Sequence, residues 1–439
     1  MTLIKNKLSE LIPGGCHTYS KGLDTFPSNV PDAIVRGKGA YVWDTKGEKY
    51  LDFTMGLTSV TLGHAFDQID DKVIETLKNG LNFQRPSILE MEFAEEFIQL
   101  IPQHQMIKFA KNGSTVTTAA TKIARAYTNR DLIAFPKQHP FFSYDDWFIG
   151  TTKCNRGVPK QISDLSIRFD SCNLESLKEL FHQYRDQIAC VIMEPIRPTC
   201  YSCNCSLSNE SYLKEAIDLV HENKALFILD EMITGYKIDF PGYTTRMNLD
   251  VDITTWGKSI ANGYAFSCMT GKKEIMEIGG INHPGKKKFF LTSTTHGAET
   301  TGIRGALETM RFYKQNNVID HIDKTGRSLI EKIKIKLKEN ELESYILIKE
   351  SPWQILFEFR DRKKQKSLAH QTFFSQEMIK NKILIQSSLL ISFSHRTKEV
   401  DQFMESFTSF LYLYKKVLKE GLENYLEGQS IKPVFREFN

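Results

Sequence analysis

Apolar residues run in short unbroken blocks through the middle of the chain. Ala225-Leu-Phe-Ile-Leu229 stops at Asp230-Glu231, and Ala189-Cys-Val-Ile-Met193 stops at Glu194-Pro195. Met106-Ile-Lys-Phe-Ala110 runs into Asn112-Gly113-Ser114-Thr115, and Leu132-Ile-Ala-Phe135 precedes an aromatic loop carrying His139, Phe141, Phe142, Tyr144 and Trp147. Blocks of strand length that are mostly apolar, rather than apolar at alternate positions, predict strands covered on both faces. Between them the apolar positions take helical spacing, at Leu89, Phe93, Phe97, Ile98 and Ile101 before Pro102. Further helices are expected over 116–127, 174–185, 209–222 and 300–315. Strand and helix in alternation predict a mostly parallel sheet with helices on both faces.

The flanks read differently. Residues 1–36 are an irregular, partly helical arm broken by Pro13, Pro27 and Pro31. Tyr41-Val-Trp-Asp44 and Tyr50-Leu-Asp-Phe53 bracket a turn with Gly47, a hairpin signal, and His64 after Gly63 reads as a local hydrogen-bonding residue. After 316, long helices alternate with strands at 353–359 and 383–385. The expected organisation is therefore an arm with part of a small domain over 1–55, a large domain over 56–310, and a C-terminal small α/β domain over 311–439.

Composition narrows the function classes. The 57 basic and 53 acidic residues of the 439 leave a net charge of +4, which calls for neither a nucleic-acid nor a membrane partner. No apolar run approaches the roughly 18 residues of a membrane span, so a soluble, cytoplasmic protein is expected. Lys286 to Lys288 reads as a solvated loop. The eight cysteines read as free thiols; Cys200, Cys203 and Cys205 cluster without a fourth ligand at zinc-like spacing, so no metal is expected.

The chemistry collects where strands end. A Gly-Ser-Thr segment between a strand and a helix offers backbone N–H groups, hydroxyls and the helix dipole to an anion. Glu194, Asp230, Lys258 after Trp256-Gly257, and the Thr-rich loop at Thr294 fall at similar junctions. A dianion cradle, an acid and an amine are what pyridoxal phosphate needs for its phosphate, ring nitrogen and aldehyde. An acid beside the ring nitrogen keeps it protonated, and a desolvated lysine is available as the neutral amine that forms an imine.

From about residue 10 to 310 the chain resembles the class III aminotransferases of fold type I, nearest the branch around glutamate-1-semialdehyde aminomutase. The resemblance is carried by Ile12-Pro-Gly-Gly15, Tyr41-Val-Trp-Asp44 with Leu51-Asp-Phe53, Leu62-Gly-His64, Asn112-Gly-Ser-Thr115, Ala124-Arg125-Ala-Tyr127, Val191-Ile-Met-Glu194-Pro195, Leu229-Asp230-Glu-Met232-Ile-Thr-Gly235 and Gly257-Lys258. It implies that Lys258 forms the imine with the cofactor, that Asp230 binds the ring nitrogen and that Met232 packs on one ring face. Gly113, Ser114 and Thr115 would hold the phosphate, with Thr294 reaching it from the partner of a homodimer. His139 would stack on the ring, and Glu194 would line the cofactor site.

The substrate side departs from the aminomutase. His139-Pro140-Phe141 stands where an aromatic residue and His-Gly are usual, and Leu57 falls about where a tryptophan is expected. Gln386 to Phe393 replaces a loop that should carry a gating glutamate. These departures favour a transaminase that moves an amino group from a small-molecule donor to an aldehyde or ketone, with a sugar-type or other polar carbonyl as acceptor. Arg85, Arg197 and Tyr144 are candidates for the entrance. An intramolecular aminomutase, an amino-acid racemase and a catalytically silent cofactor-binding protein are the alternatives.

Overall fold

The computed structural model describes residues 2–171, 173–196, 209–282, 284–285 and 287–438. The chain divides into two compact units, Met1–Phe66 with Asn317–Arg436, and Asp67–Asn316 with Glu437–Asn439. The first division follows from hydrogen bonding: Gly39 and His64 exchange backbone bonds at 2.8 and 2.9 Å, which holds residues up to His64 to the N-terminal hairpin.

The larger unit is built on a seven-stranded sheet: β1 (Met106–Ala110), β2 (Leu132–Pro136), β3 (Ser166–Phe169), β4 (Ile188–Met193), β5 (Leu226–Asp230), β6 (Ile253–Trp256) and β7 (Ser267–Gly271). Their order in space is β1-β7-β6-β5-β4-β2-β3. The pairs β2–β3, β2–β4, β4–β5 and β5–β6 are parallel, and β7 runs antiparallel to both β6 and β1. Every residue of β2, β4, β5, β6 and β7 is buried, which accounts for the unbroken apolar blocks and for the absence of period-two alternation.

Four helices matter for the site: α1 (Ile88–Ile98), α2 (Gly113–Thr128), α3 (Asn209–Glu222) and α4 (Thr300–Gln315). Helix α1 starts at a capping box in which the Ser87 N–H donates to Glu90 Oε1 at 2.9 Å. Helix α3 lays Leu213, Ile217 and Val220 into a core with Val191, Met193, Phe227 and Leu229. Helix α2 buries Val116, Ala119, Ala120 and Ile123 and ends at Asn129 in a left-handed conformation. Because β4, β5 and β6 lie side by side and parallel, their carboxyl ends present Glu194, Asp230 and Lys258 along one edge.

The smaller unit holds a four-stranded sheet, Ile34–Lys38, Tyr41–Asp44, Lys49–Asp52 and Ile383–Leu384, and a three-stranded one, Ile346–Lys349, Gln354–Phe359 and Ser388–Leu390. Helices Val318–Glu339, Leu368–Lys380 and Thr397–Glu420 belong to it. The hairpin turn closes on Asp44 Oδ1, which accepts from the N–H groups of Lys46 and Glu48, both at 2.9 Å. His64 Nε2 lies 2.8 Å from Asp52 Oδ2. Met55, Gly56, Leu57 and Thr58 are all left-handed, with φ of 42, 60, 56 and 72°, a run of strained residues that the sequence did not signal. Among the described residues no helix is long and apolar enough to cross a membrane, and no group of histidine, cysteine and acidic side chains is arranged to hold a metal.

Candidate active site

The anion cradle forms where β1 hands over to α2. Asn112 caps the helix: its Oδ1 accepts from Thr115 N–H at 2.9 Å and from Thr115 Oγ1 at 3.1 Å. Both donors of Thr115 are thereby taken up, and the donors left in the first turn are the N–H groups of Gly113 and Ser114, which no helix can satisfy internally. Ser114 Oγ accepts from the Tyr144 N–H at 3.1 Å, so its own proton is available to a ligand. The aromatic loop is stitched to this turn again through Thr117 Oγ1, which donates to the Phe142 carbonyl at 2.9 Å. Below the turn, Lys111 Nζ pairs with Glu299 Oε2 at 2.5 Å and donates to the Glu299 carbonyl, tying the end of β1 to the start of α4.

Asp230 ends β5 and is 2% exposed. Both of its hydrogen bonds reach one oxygen: Oδ1 accepts from the Met232 N–H at 2.9 Å and from Thr255 Oγ1 at 2.8 Å. Burial raises its pKa, and the two donors and the charge of Lys258 only partly offset that. A carboxylate with one saturated oxygen and a second oxygen bare of protein donors is set up for a cationic N–H.

Lys258 follows β6 and Gly257, is partly buried, and adopts φ +47°, a strained conformation for a residue with a side chain. Burial lowers the pKa of its amine, against the opposing pull of the carboxylates of Glu194 and Asp230. Met232 fills the space between the cradle and this turn. A Cβ on Gly113 would lie 2.9 Å from the Met232 Sδ, and one on Gly257 would lie 2.5 Å from the same atom and 2.7 Å from Ser267 Oγ. A side chain at Gly113 would have to push Met232 aside, and one at Gly257 would have to displace both Met232 and Ser267.

His139 is buried, its ring 5.3 Å from that of Phe142, and its Nδ1 accepts from the Glu194 N–H at 3.2 Å, which places the proton of the neutral ring on Nε2. Glu231, next to Asp230, has a different environment. It is fully buried and accepts four hydrogen bonds, from the N–H groups of Tyr243 and Thr244 and the hydroxyls of Thr244 and Thr234, at 2.8 to 3.2 Å. Burial still pushes its pKa up to about 7. This carboxylate braces the loop that follows β5 and points away from ligand chemistry.

Thr294 is exposed, in a loop that leads into α4. With Thr295 it lines an open cleft of about 200 Å³ together with residues 81–87, Arg85 among them. Four residues escaped the sequence reading. Thr255 donates to Asp230, Lys111 and Glu299 tie the end of β1 to the start of α4, and Lys237 is buried with its Nζ donating to the Ile233 carbonyl at 2.7 Å. Burial, then the neighbouring charge of Lys258, depresses the pKa of Lys237. Leu57 lies in the strained turn of the smaller unit, whereas Arg197 and the cysteines at 172, 200, 203 and 205 lie outside the described residues. Cys16, Cys154, Cys190 and Cys268 are free thiols.

A sheet of this order, with an acid and a lysine at the carboxyl ends of adjacent strands and an anion cradle at a helix start, defines a pyridoxal-phosphate enzyme of fold type I. The solved structures agree on the fold. The PLP internal aldimine form of the Sphingopyxis sp. MTA144 FumI protein superposes with a TM-score of 0.85 at 19% identity, over 95% of this chain and 97% of that one. An omega-transaminase from Sphaerobacter thermophilus superposes with a TM-score of 0.81 at 21% identity, over 93% and 96%. The aminotransferase class-III family model matches residues 26–170 and 159–366, and the chain belongs to that family. Similar proteins include a 3-aminobutyryl-CoA aminotransferase of Cloacimonas acidaminovorans (strain Evry), 25% identical over 93% of this chain and 96% of that protein. A glutamate-1-semialdehyde 2,1-aminomutase of Wigglesworthia glossinidia brevipalpis is 26% identical over 92% and 96%. The protein is thus a pyridoxal-phosphate-dependent aminotransferase of class III.

Proposed function

We propose that the protein moves an amino group from a small-molecule amine donor to an aldehyde or ketone acceptor, with Lys258 and Asp230 as its catalytic residues. The observation that carries this reading is the pairing of a desolvated amine with a buried acid on neighbouring strands, Lys258 after β6 and Asp230 at the end of β5. The residues fit pyridoxal phosphate: unclaimed N–H groups at Gly113 and Ser114 suit a phosphate, the donor-free Oδ2 of Asp230 suits the ring N–H, and two glycines leave Met232 as a flat apolar wall. When bound, that cofactor supplies an aldehyde to accept the amino group and a ring to delocalise charge from the α-carbon.

The chain's own groups do the rest. Lys258 Nζ, its pKa lowered by burial, would hold the cofactor and is the group placed to take and return the proton of the donor's α-carbon. Asp230 would keep the ring nitrogen protonated. Gly113 and Ser114 would hold the phosphate, with Thr115 acting through the cap that orders their turn. His139 and Met232 would cover the ring, and the backbone of Glu194 fixes the tautomer of His139.

By the family resemblance Thr294 would reach the phosphate of a second copy in a homodimer, and its exposure in a cleft shared with the exposed Leu81 and Phe83 supports that reading. The hydroxyl- and aromatic-rich loop at Phe141–Tyr144 supports a polar, sugar-type carbonyl as acceptor. Incubation with single amino donors tests the reaction. Loss of the bound cofactor's visible absorption, with release of a keto acid and pyridoxamine phosphate, supports transfer; isomerisation without an acceptor points to the aminomutase or racemase alternatives. Asp230→Ala should retain some cofactor and lose nearly all turnover.

A further inference from the structure

Arg85 is exposed in the loop that precedes the Ser87 cap of α1, and among the described residues it forms no ion pair. The cleft it lines also carries Asn82, Gln84, Thr294 and Thr295. At about 200 Å³ the cleft is below the roughly 300–1,000 Å³ that a whole small ligand occupies, so it suits one end of a molecule whose remainder lies elsewhere. The two loops that form it are locked together. Thr300 donates through its N–H to the Leu81 carbonyl at 3.0 Å and through Oγ1 to the Gly80 carbonyl at 3.1 Å, and Asn82 Nδ2 lies 3.5 Å from His296 Nδ1. Wherever Thr294 is presented, Arg85 is presented with it.

We propose that Arg85 is a specificity residue that binds the carboxylate of the substrate in the active site of a second copy of the chain. This rests on the transaminase reading, in which Thr294 meets the phosphate of that second copy. A guanidinium is always charged and matches a carboxylate with two parallel hydrogen bonds, and the amide and hydroxyl groups of Asn82, Gln84 and Thr295 complete a polar, anion-tolerant wall. Glu90 is the acid in the same lining, and its Oε1 is already occupied by the Ser87 N–H at 2.9 Å. The substrate class that follows is an amine or carbonyl compound bearing a free carboxylate.

The test compares two reagents that react with the bound cofactor, aminooxyacetate, which carries a carboxylate, and O-methylhydroxylamine, which does not, followed by the change in cofactor absorption. Arg85→Gln should lower the ratio of the two rate constants about 10- to 100-fold, the effect of losing hydrogen bonds to a charged group. An unchanged ratio overturns the proposal, and an unchanged ratio with lost cofactor retention would place Arg85 on the phosphate instead. A wild-type protein that reacts with neither reagent overturns the transaminase reading itself, and this proposal with it. The second copy is tested with a purified heterodimer of one Arg85→Gln and one Lys258→Ala chain. There the only working lysine faces an intact Arg85, so the KM for a carboxylate-bearing donor should return to that of the wild type. A KM as high as in the Arg85→Gln homodimer would overturn recognition across the interface.

Discussion

Thr255→Val removes one of the two donors to Asp230 while leaving a side chain of similar shape at a position with no solvent exposure. What remains on Oδ1 is the Met232 N–H at 2.9 Å. A hydrogen bond to a charged group contributes about 1.5–3 kcal/mol, so the ionised carboxylate loses that much relative to its neutral form. The pKa of Asp230, already raised by burial, therefore climbs further. An acid that is less willing to ionise holds a protonated ring nitrogen less well. The rate of the donor half-reaction should fall about 10- to 100-fold if the whole deficit reaches the transition state. The measurement is a single-turnover absorption change under saturating donor, with cofactor content and thermal midpoint recorded alongside. Thr255→Ser, which keeps the hydroxyl, should remain near the wild-type rate. A valine variant that is fully loaded with cofactor and turns over normally would refute the reasoning, as would equal losses in the valine and serine variants.

Acid sensitivity should come in part from His104, which is buried between Thr270 Oγ1 at 2.8 Å and the Val251 carbonyl at 3.1 Å and is depressed by burial to about 4. The unfolded chain binds more protons below its ordinary value, so stability present above about pH 6.5 is lost on acidification; between pH 7 and 5 the loss should be about 2 kcal/mol, read from denaturant midpoints, and a His104→Asn variant should show a shallower slope. Gly113→Ala should displace Met232 and weaken cofactor binding about 10-fold, with Met232→Ala restoring much of it; no rescue would mean that the new methyl blocks the phosphate directly. Lys111→Met leaves the half-buried Glu299 without its partner and should destabilise the larger unit by about 1–3 kcal/mol and speed cofactor release; a change in stability without faster release would separate the ion pair from the cradle.

Much of the larger unit was legible because its strands are buried on both faces, so their apolar blocks stand out and stop where a ligand edge begins. Asp230, Lys258 and the turn after Asn112 are visible for that reason. The edge strand Ser166–Phe169 was missed since it is short, carries Arg168 and buries fully only Phe169. Thr255 was missed because a threonine inside a strand looks like any β-branched residue; its role arises only when β6 lies beside β5, twenty-five positions after Asp230. Lys237 and Glu231 are polar groups in a loop that a sequence presents as solvated, and the fold buries both. The left-handed run at Met55–Thr58 carries a single glycine, so nothing in its composition announced the strain.

The sulfur of Met232 sits against two positions where an added methyl group would press on it, Gly113 from the cradle and Gly257 from the lysine turn. These three residues come from separate parts of the chain, yet each limits what the others can become. A larger residue at Gly113 requires residue 232 to shift or shrink, one at Gly257 must displace Ser267 Oγ as well, and a bulkier residue at 232 presses on both glycines. Substitution in this triangle is therefore a problem of ordering: most single steps are closed, and change has to enter through residue 232 first. A library that varies the three positions together should recover combinations that stepwise mutation never reaches.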